Sequence, residues 1–288
     1  MKKKIEKILQ FVQKPARYCG GELNSVIKDP KKVDLRYAFC FPDLYEIGMS
    51  HLGMKILYSL VNSREDAWCE RVFAPDADME EQMRKNDVKL FALESEDDVK
   101  EFDIVGFTLM YELCYTNVLN MLDLAGIPLL SKDRTDLTPI IACGGPCACN
   151  PEPIADFVDL VFLGDGEEST MQVLDLLKEC KKNGNSKHEF LMKAKDIRGV
   201  YVPSFYEDTY HDDGTLKELK PLFGAPEKIK KAVVSDMDNC FYPDNFVVPF
   251  INIVHDRAVE EIFRGCIRGC RFCQAGFTYR PIREKSVE

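Results

Sequence analysis

The stretch Leu35-Arg-Tyr-Ala-Phe-Cys-Phe41 is followed directly by Pro42-Asp43. A short run rich in aromatic and apolar residues predicts a buried β-strand, and the Pro-Asp pair predicts the turn that ends it. Further short apolar runs occur at 69–73, 103–110, 139–143 and 160–164, and helical patterns occur at 51–61, 78–86, 114–125 and 166–182. This alternation predicts an α/β fold, a doubly wound parallel sheet with helices on both faces.

The loops at the carboxyl ends of these strands are the expected ligand site, because open parallel sheets bind ligands at that edge. The residues predicted there to bind a cofactor are Gly48, Thr108, Gly144, Gly145, Gly164, Gly166 and Glu167. Glycine lets a flat cofactor approach the backbone closely. The same glycines are also what tight turns between strands and helices use, so both interpretations stay open.

A cysteine-rich loop occurs near the end of the chain. Cys266, Cys270 and Cys273 have C-x3-C-x2-C spacing within the run Arg264-Gly-Cys-Ile-Arg-Gly-Cys-Arg-Phe-Cys273. Three thiolates can each bind one iron of a [4Fe–4S] cube and leave the fourth iron open. A zinc site is the first alternative, but no Cys or His follows Cys273, and the nearest upstream His is His255. A disulfide or free core thiols are the remaining alternatives.

The loop, with Phe272 directly before its last cysteine, resembles the signature of the radical S-adenosylmethionine (SAM) superfamily. The resemblance implies that the open iron chelates the amino and carboxylate groups of SAM. An electron from the cluster would then cleave SAM to a 5′-deoxyadenosyl radical, with Phe272 near the adenine. It also implies an electron donor such as flavodoxin or ferredoxin.

Two further motifs precede the loop, Gly144-Gly145-Pro146 and Gly164-Asp-Gly-Glu167. In this order they resemble the cobalamin-binding domain of one radical SAM subfamily, an uncharacterised group related to methylthiotransferase and Elongator-like proteins. The resemblance implies a cobalamin-binding-like domain, with cobalamin as a further cofactor.

His51 departs from the motif D-x-H-x-x-G that places a histidine under cobalt in other cobalamin domains. Met49 stands at the Asp position and Met54 at the Gly position. We therefore predict that His51 is no axial ligand and instead starts a helix or is partly buried. Either cobalamin binds without a protein ligand, or the domain keeps the fold without the cofactor.

Cys143, Cys147 and Cys149 form a second group of cysteines, with C-x3-C-x-C spacing. This spacing differs from that of the signature loop, and the Gly-Gly-Pro within it is already explained as a turn after a strand. Free cysteine is among the most buried residue types. We interpret these residues as ordinary core or loop thiols, with a second metal site as the alternative.

The sequence predicts four regions. They are an N-terminal helix and lead-in (1–33), the cobalamin-binding-like domain (34–185), a β-rich linker (186–255) and the start of a radical SAM partial (β/α) barrel (256–288). By the resemblance, a complete barrel needs several more strand and helix units than follow the cysteine loop. The expectation is therefore a truncated chain or a separately encoded C-terminal half.

Composition restricts the location and the partners. The chain has 288 residues, a net charge of −10 and 12 cysteines at irregular spacing. Without a secretory pattern or a long apolar run, this predicts a cytoplasmic protein in a reducing compartment that does not enter a membrane. The substrate stays open among RNA, a small metabolite and a protein. The alternative function is a non-catalytic iron–sulfur module for binding or redox sensing, or a scaffold.

Replacing Cys266, Cys270 and Cys273 by Ala tests the cluster prediction. Anaerobic reconstitution of the unaltered chain should give the broad visible absorption of a [4Fe–4S] cluster, and each single replacement should remove most of the bound iron and sulfide. Cys19→Ala, outside the loop, is the control and should leave both unchanged. A triple variant that keeps full iron and sulfide would contradict the assignment.

Overall fold

A computed structural model of the protein describes residues 2–287. The strands are β1 (Leu35–Phe41), β2 (Ala67–Phe73), β3 (Ile104–Thr108), β4 (Ile140–Gly144), β5 (Leu160–Phe162), β6 (Val200–Tyr201), β7 (Tyr206–Tyr210), β8 (Leu216–Pro221), β9 (Phe263–Arg264) and β10 (Arg283–Glu284). The α-helices are α1 (Lys2–Ile8), α2 (Tyr45–Gly48), α3 (Leu52–Asn62), α4 (Ala77–Asn86), α5 (Tyr115–Ala125), α6 (Glu167–Asn183), α7 (Lys187–Ala194) and α8 (Ala275–Thr278).

The main sheet has the strand order β2-β1-β3-β4-β5-β6. The first five strands pair in parallel, and β6 pairs antiparallel with β5. The predicted strands and helices of the parallel part are therefore confirmed to within a few residues at their ends. Strand β6 lies within the predicted β-rich linker (186–255), and its place at the edge of the main sheet was not predicted.

Helices cover both faces of the sheet. On β1, Ala38 and Cys40 face one core, while Tyr37, Phe39 and Phe41 face the other. The first core also contains apolar residues of α1, α4 and α5, and the second contains those of α3, α6 and α7. Burial on both faces explains why the parallel strands read as continuous apolar runs.

The predicted boundary at residue 185 is wrong, because the α/β unit continues beyond it. Helix α7 starts with a capping box in which Ser186 and Glu189 exchange hydrogen bonds. Its residues Phe190 and Ala194 are buried in the same core as α6, and β6 belongs to the main sheet. The predicted β-rich linker missed this helix, since its apolar face spans barely two turns.

The remaining chain has little regular structure. Strands β7 and β8 form a hairpin within the region predicted to be β-rich, closed where His211 N donates to Thr215 O at 2.9 Å. Strand β9 has two residues and pairs antiparallel with β10. Among residues 2–287, no helix has the length and apolar character needed to cross a membrane.

A buried charge network ties the lead-in to the sheet. Arg71 on β2 contacts Glu22 at 2.7 Å and Glu94 at 2.6 Å. All three side chains are at most 2% exposed, and Tyr45 donates a further hydrogen bond to Glu22 at 2.9 Å. Residue 22 lies in the predicted lead-in, so that segment is part of the folded unit rather than a separate arm.

Removing this arginine should destabilise the fold strongly. Arg71→Leu leaves two carboxylates buried without a cation, and we expect a loss of about 3–5 kcal/mol in the free energy of unfolding. Arg84→Leu is the control, since its pair with Glu80 is solvent-exposed and should contribute less than about 1 kcal/mol. Urea unfolding measures both variants, and equal losses would contradict a special role for the buried network.

Candidate functional site

A cavity of about 310 Å³ lies at the carboxyl edge of the sheet, over the ends of β3, β4 and β5. Its inner wall contains the aromatic residues Tyr37, Phe39, Phe107 and Phe162. The C-terminal part of the chain closes the other side with Lys231, Ala232, Val233, Glu261, Arg264, Thr278, Tyr279 and Arg283. The cavity therefore lies between the sheet and the segment that carries the cysteine loop.

Most of the predicted cofactor residues line this cavity, namely Thr108, Gly144, Gly145, Gly164, Gly166 and Glu167. Their role in binding a cofactor stays a prediction. Gly48, which we predicted to belong to the same site, does not line the cavity. A Cβ at Gly48 would lie 2.3 Å from the ring of Phe73 and 3.0 Å from that of Phe41, so this glycine serves the packing of α2.

Gly145 and Gly164 are needed because protein backbone crowds them. Both have φ of +99°, where residues with a side chain are strained. A Cβ at Gly145 would lie 2.8 Å from Leu109 O, and one at Gly164 would lie 2.1 Å from Ala232 O. The close approach that we predicted for a cofactor is made here by the chain itself.

The segment around Ala232 runs across the end of β5 like a short strand. Ala232 N donates to Leu163 O at 2.8 Å, and Asp165 N donates to Ala232 O at 3.0 Å. This bridge forms a fixed rim of the cavity above Gly164.

A cluster of charges joins the cysteine-loop segment to the start of α6. Arg264 contacts Glu167 at 2.8 Å and Asp165 at 3.2 Å, and Arg283 also pairs with Asp165. The Arg264 and Arg283 side chains are only 16% and 10% exposed. Glu167 is the first residue of α6, where the helix dipole favours negative charge. Glu167 thus fixes Arg264 by an ion pair, and Arg264 belongs to β9, the strand that leads into the cysteine loop.

Arg264 keeps its positive charge at this position. Burial by itself would lower the pKa of Arg264, but the hydrogen bond to Glu261 and the charges of Glu167 and Asp165 raise it above the usual value. Arg264 is two residues before Cys266, so these ion pairs fix where the loop begins. The guanidinium is paired with protein carboxylates at this position.

The three cysteines of the loop are free, Cys270 exposed and Cys266 and Cys273 partly buried. The donor chemistry fits a [4Fe–4S] cluster, since three thiols lie in one loop without a competing donor. Among residues 2–287, no three Cys, His, Asp or Glu side chains converge on one metal-binding point. A Cβ added at Gly269 would have no atom within 4 Å, so the loop has room to gather its thiols.

Phe272 does not lie near the cavity. Its ring is 93% exposed beside the loop. The predicted contact with adenine therefore concerns a ligand bound at the loop and not in the cavity.

Two residues of the second cysteine group, Cys143 and Cys149, line the cavity. Cys143 and Cys147 are buried, while Cys149 is exposed. Burial raises the pKa of Cys143 and raises that of Cys147 to about 11. Protonated, buried thiols agree with the interpretation of Cys143 and Cys147 as core residues.

His51 is the N-cap of α3, as the interpretation of a helix-start residue predicted. Its Nδ1 accepts a hydrogen bond from Met54 N at 3.0 Å. The neutral ring must therefore carry its proton on Nε2, which leaves no lone pair on that atom for a metal. Burial lowers the pKa of His51 to about 4, which favours this neutral form.

Whole cobalamin does not fit this cavity. The residues around it offer no nitrogen ligand from His51, and the backbone of Ala232 fills the space above Gly164. A volume of about 310 Å³ is at the small end of ligand pockets, and a corrin ring with its side chains is several times larger than a ligand of that size.

Sequence reasoning missed Tyr37, Thr170, Asp165, Lys231 and Arg283 as cavity residues. Tyr37 was hidden within a strand that reads as core. Asp165 lies within the Gly-Asp-Gly-Glu motif. Its position just before a predicted helix was the sequence signal that could have indicated a role at this edge.

The structure contains an α/β sheet domain and, after it in the chain, a loop with three free cysteines. A family model described as radical SAM proteins, N-terminal, matches residues 53–203, more than half of the chain. The chain therefore belongs to this N-terminal family of radical SAM proteins. The matched range covers most of the main sheet and ends before Cys266.

A similar protein is an uncharacterised protein of Methanocaldococcus jannaschii. It is 25% identical over 254 residues, which is 87% of this chain and 43% of the relative. The chain thus spans less than half of the length of the curated relative it matches.

The capping role of His51 predicts a pH-dependent stability. The pKa of His51 is about 4 in the folded chain, whereas an ordinary histidine, as in the unfolded chain, has a pKa of 6.5. The unfolded chain therefore takes up the proton first as the pH falls. The stabilisation is complete above pH 6.5 and decreases down to about pH 4. His51→Asn keeps a cap and should flatten this part of the curve of unfolding free energy against pH. An NMR titration of the His51 ring with a pKa near 6.5 would contradict the prediction.

Proposed function

We propose that this chain is the N-terminal part of a radical SAM enzyme whose [4Fe–4S] cluster is bound by Cys266, Cys270 and Cys273. The observation that carries the proposal is a loop of three free thiols that starts two residues after an arginine anchored to the α/β domain. Membership of the radical SAM N-terminal family supports it. When bound, the cluster would supply the electron that cleaves SAM to a 5′-deoxyadenosyl radical.

The protein residues position the loop. Glu167, Asp165 and Glu261 fix Arg264 at its start. Gly265, with φ of +116°, turns the chain where a Cβ would lie 2.5 Å from Pro281 O. Cys266 N then donates to Tyr279 O at 3.2 Å. The first residues of the loop are therefore held, while its middle around Gly269 is open.

Access to the surface suits electron delivery. Cys270 is exposed, and Phe272 presents most of its ring to solvent. A cluster bound there would lie within reach of a one-electron donor such as flavodoxin or ferredoxin. In the relative of more than twice the length, further chain would cover this apolar ring and help to enclose SAM, so we propose that Phe272 contacts the adenine only in the longer protein.

A non-catalytic iron–sulfur module is the second candidate. Exposure of Cys270 favours it, since accessible thiols are typical of redox-sensing sites. It predicts a cluster that changes its redox state without consuming SAM. The substrate of the catalytic alternative stays open among RNA, a small metabolite and a protein.

Formation of 5′-deoxyadenosine distinguishes the two candidates. A reconstituted version extended to the length of the relative should form it from SAM under dithionite, and Cys273→Ala in the same protein should abolish this. The 288-residue chain should be far slower, because the open iron alone holds only the amino acid end of SAM. Equal rates would contradict the barrel assignment. A stable cluster without 5′-deoxyadenosine in the extended protein would favour the non-catalytic module.

A further inference from the structure

We infer that the carboxyl-edge cavity binds a flat, uncharged heteroaromatic ring of nucleobase size that carries hydrogen-bond acceptor atoms. The cavity is distinct from the cysteine loop, none of whose three thiols lines it. Binding of such a ring would therefore not depend on the cluster.

The hydroxyl groups of Tyr37, Thr108 and Thr170 make no hydrogen bond among the described residues, and all three residues line the cavity. Tyr37 and Thr108 are each 7% exposed, and Thr170 is 4% exposed. The Tyr37 oxygen lies directly over Gly106, where an added Cβ would come within 2.0 Å of it. Because no protein group bonds these hydroxyls, they are available to bond a ligand in the cavity.

His51 adds a donor of fixed direction. Nδ1 of His51 accepts from Met54 N, so the Nε2–H group is available to donate. His51 lines the cavity, where a ligand can accept this hydrogen bond. The His51 ring donates a hydrogen bond at Nε2, and the three hydroxyl groups can also donate. Together they favour a ligand with nitrogen or oxygen acceptor atoms.

The charges at the mouth select against ionised ligands. Lys231, Arg264 and Arg283 are matched by Asp165, Glu167 and Glu261 among the lining residues. Both arginines are paired with these carboxylates, and Lys231 Nζ donates to Thr278 O at 2.8 Å. A phosphate or carboxylate would meet these acids without a free guanidinium to hold it.

The walls suit a flat ring. Phe39 and Phe162 line the cavity and lie in the same core as Tyr37. Aromatic side chains favour stacked or edge contacts with another ring. The volume of about 310 Å³ accommodates a nucleobase with part of its sugar and excludes a corrin.

Because the adenine of SAM is proposed to contact Phe272 at the loop, we assign the cavity to the ring of a separate nucleoside, and SAM is the competing source that the titration tests. Isothermal titration of the Cys266→Ala chain, prepared without iron, with adenosine, SAM, AMP and hydroxocobalamin separates them. We expect adenosine to bind one site per chain and more tightly than AMP. SAM binding in competition with adenosine would assign the ring to SAM, and adenosine binding without SAM binding would assign it to a nucleoside.

Variants locate the binding to the cavity. Tyr37→Phe and Thr108→Val each remove one unpartnered hydroxyl, and we expect each to weaken adenosine binding about 3- to 10-fold with an unchanged unfolding midpoint. Tyr210→Phe, on the exposed hairpin, is the matched control and should have no effect. Saturation-transfer NMR on the base protons gives a second readout if a variant loses stability.

Three results would overturn the inference. They are the absence of binding by adenosine and SAM, binding that Tyr37→Phe and Thr108→Val leave unchanged, and a preference for AMP or hydroxocobalamin. Because the titrated chain is prepared without iron, none of these results bears on the cluster, whose failure would appear only as lost 5′-deoxyadenosine.

Discussion

Parallel pairing of β1 to β5 is the constraint on which the rest of the structure depends. Strands that run in the same direction end at the same edge, so the loops after β3, β4 and β5 meet although they are far apart in the sequence. Small residues at or just after the ends of these strands, Thr108, Gly144 and Gly164, line the cavity there. The chain itself, from Lys231 to Arg283, then closes that space.

The ion pairs of Asp165 and Glu167 connect this edge with the cysteine loop. They link two partly buried arginines to the N-terminal end of α6. Partly buried charges are stabilising only while each keeps its partner, so the arrangement specifies one position for the loop segment. The Gly-Asp-Gly-Glu motif therefore has a structural role that is independent of any cofactor.

The cavity and the loop also share a residue. Arg264 lines the cavity, and two residues later Cys266 begins the set of thiols. A ligand in the cavity would contact the same segment that a cluster orders. The two sites are thus physically linked through one side chain and its carboxylate partners, although they use different chemistry.

The sequence alone determined the local features. Periods of apolar residues located the strands and helices of the parallel sheet, because burial on one or both faces leaves a local pattern. Cysteine spacing located the candidate cluster loop, and the position of His51 before an apolar helix indicated its capping role. Each of these depends on residues close together in the chain.

Only the tertiary structure decided the rest. Tyr37 reads as a core residue, and its free hydroxyl is visible only once Gly106 of the neighbouring strand lies beneath it. The pairing of Asp165 with Arg283 joins residues 118 positions apart, which no local pattern predicts. Gly164 was predicted to contact a cofactor, but the backbone of Ala232 packs against it. Long-range contacts of this kind depend on how the whole chain packs, and local composition carries no record of them.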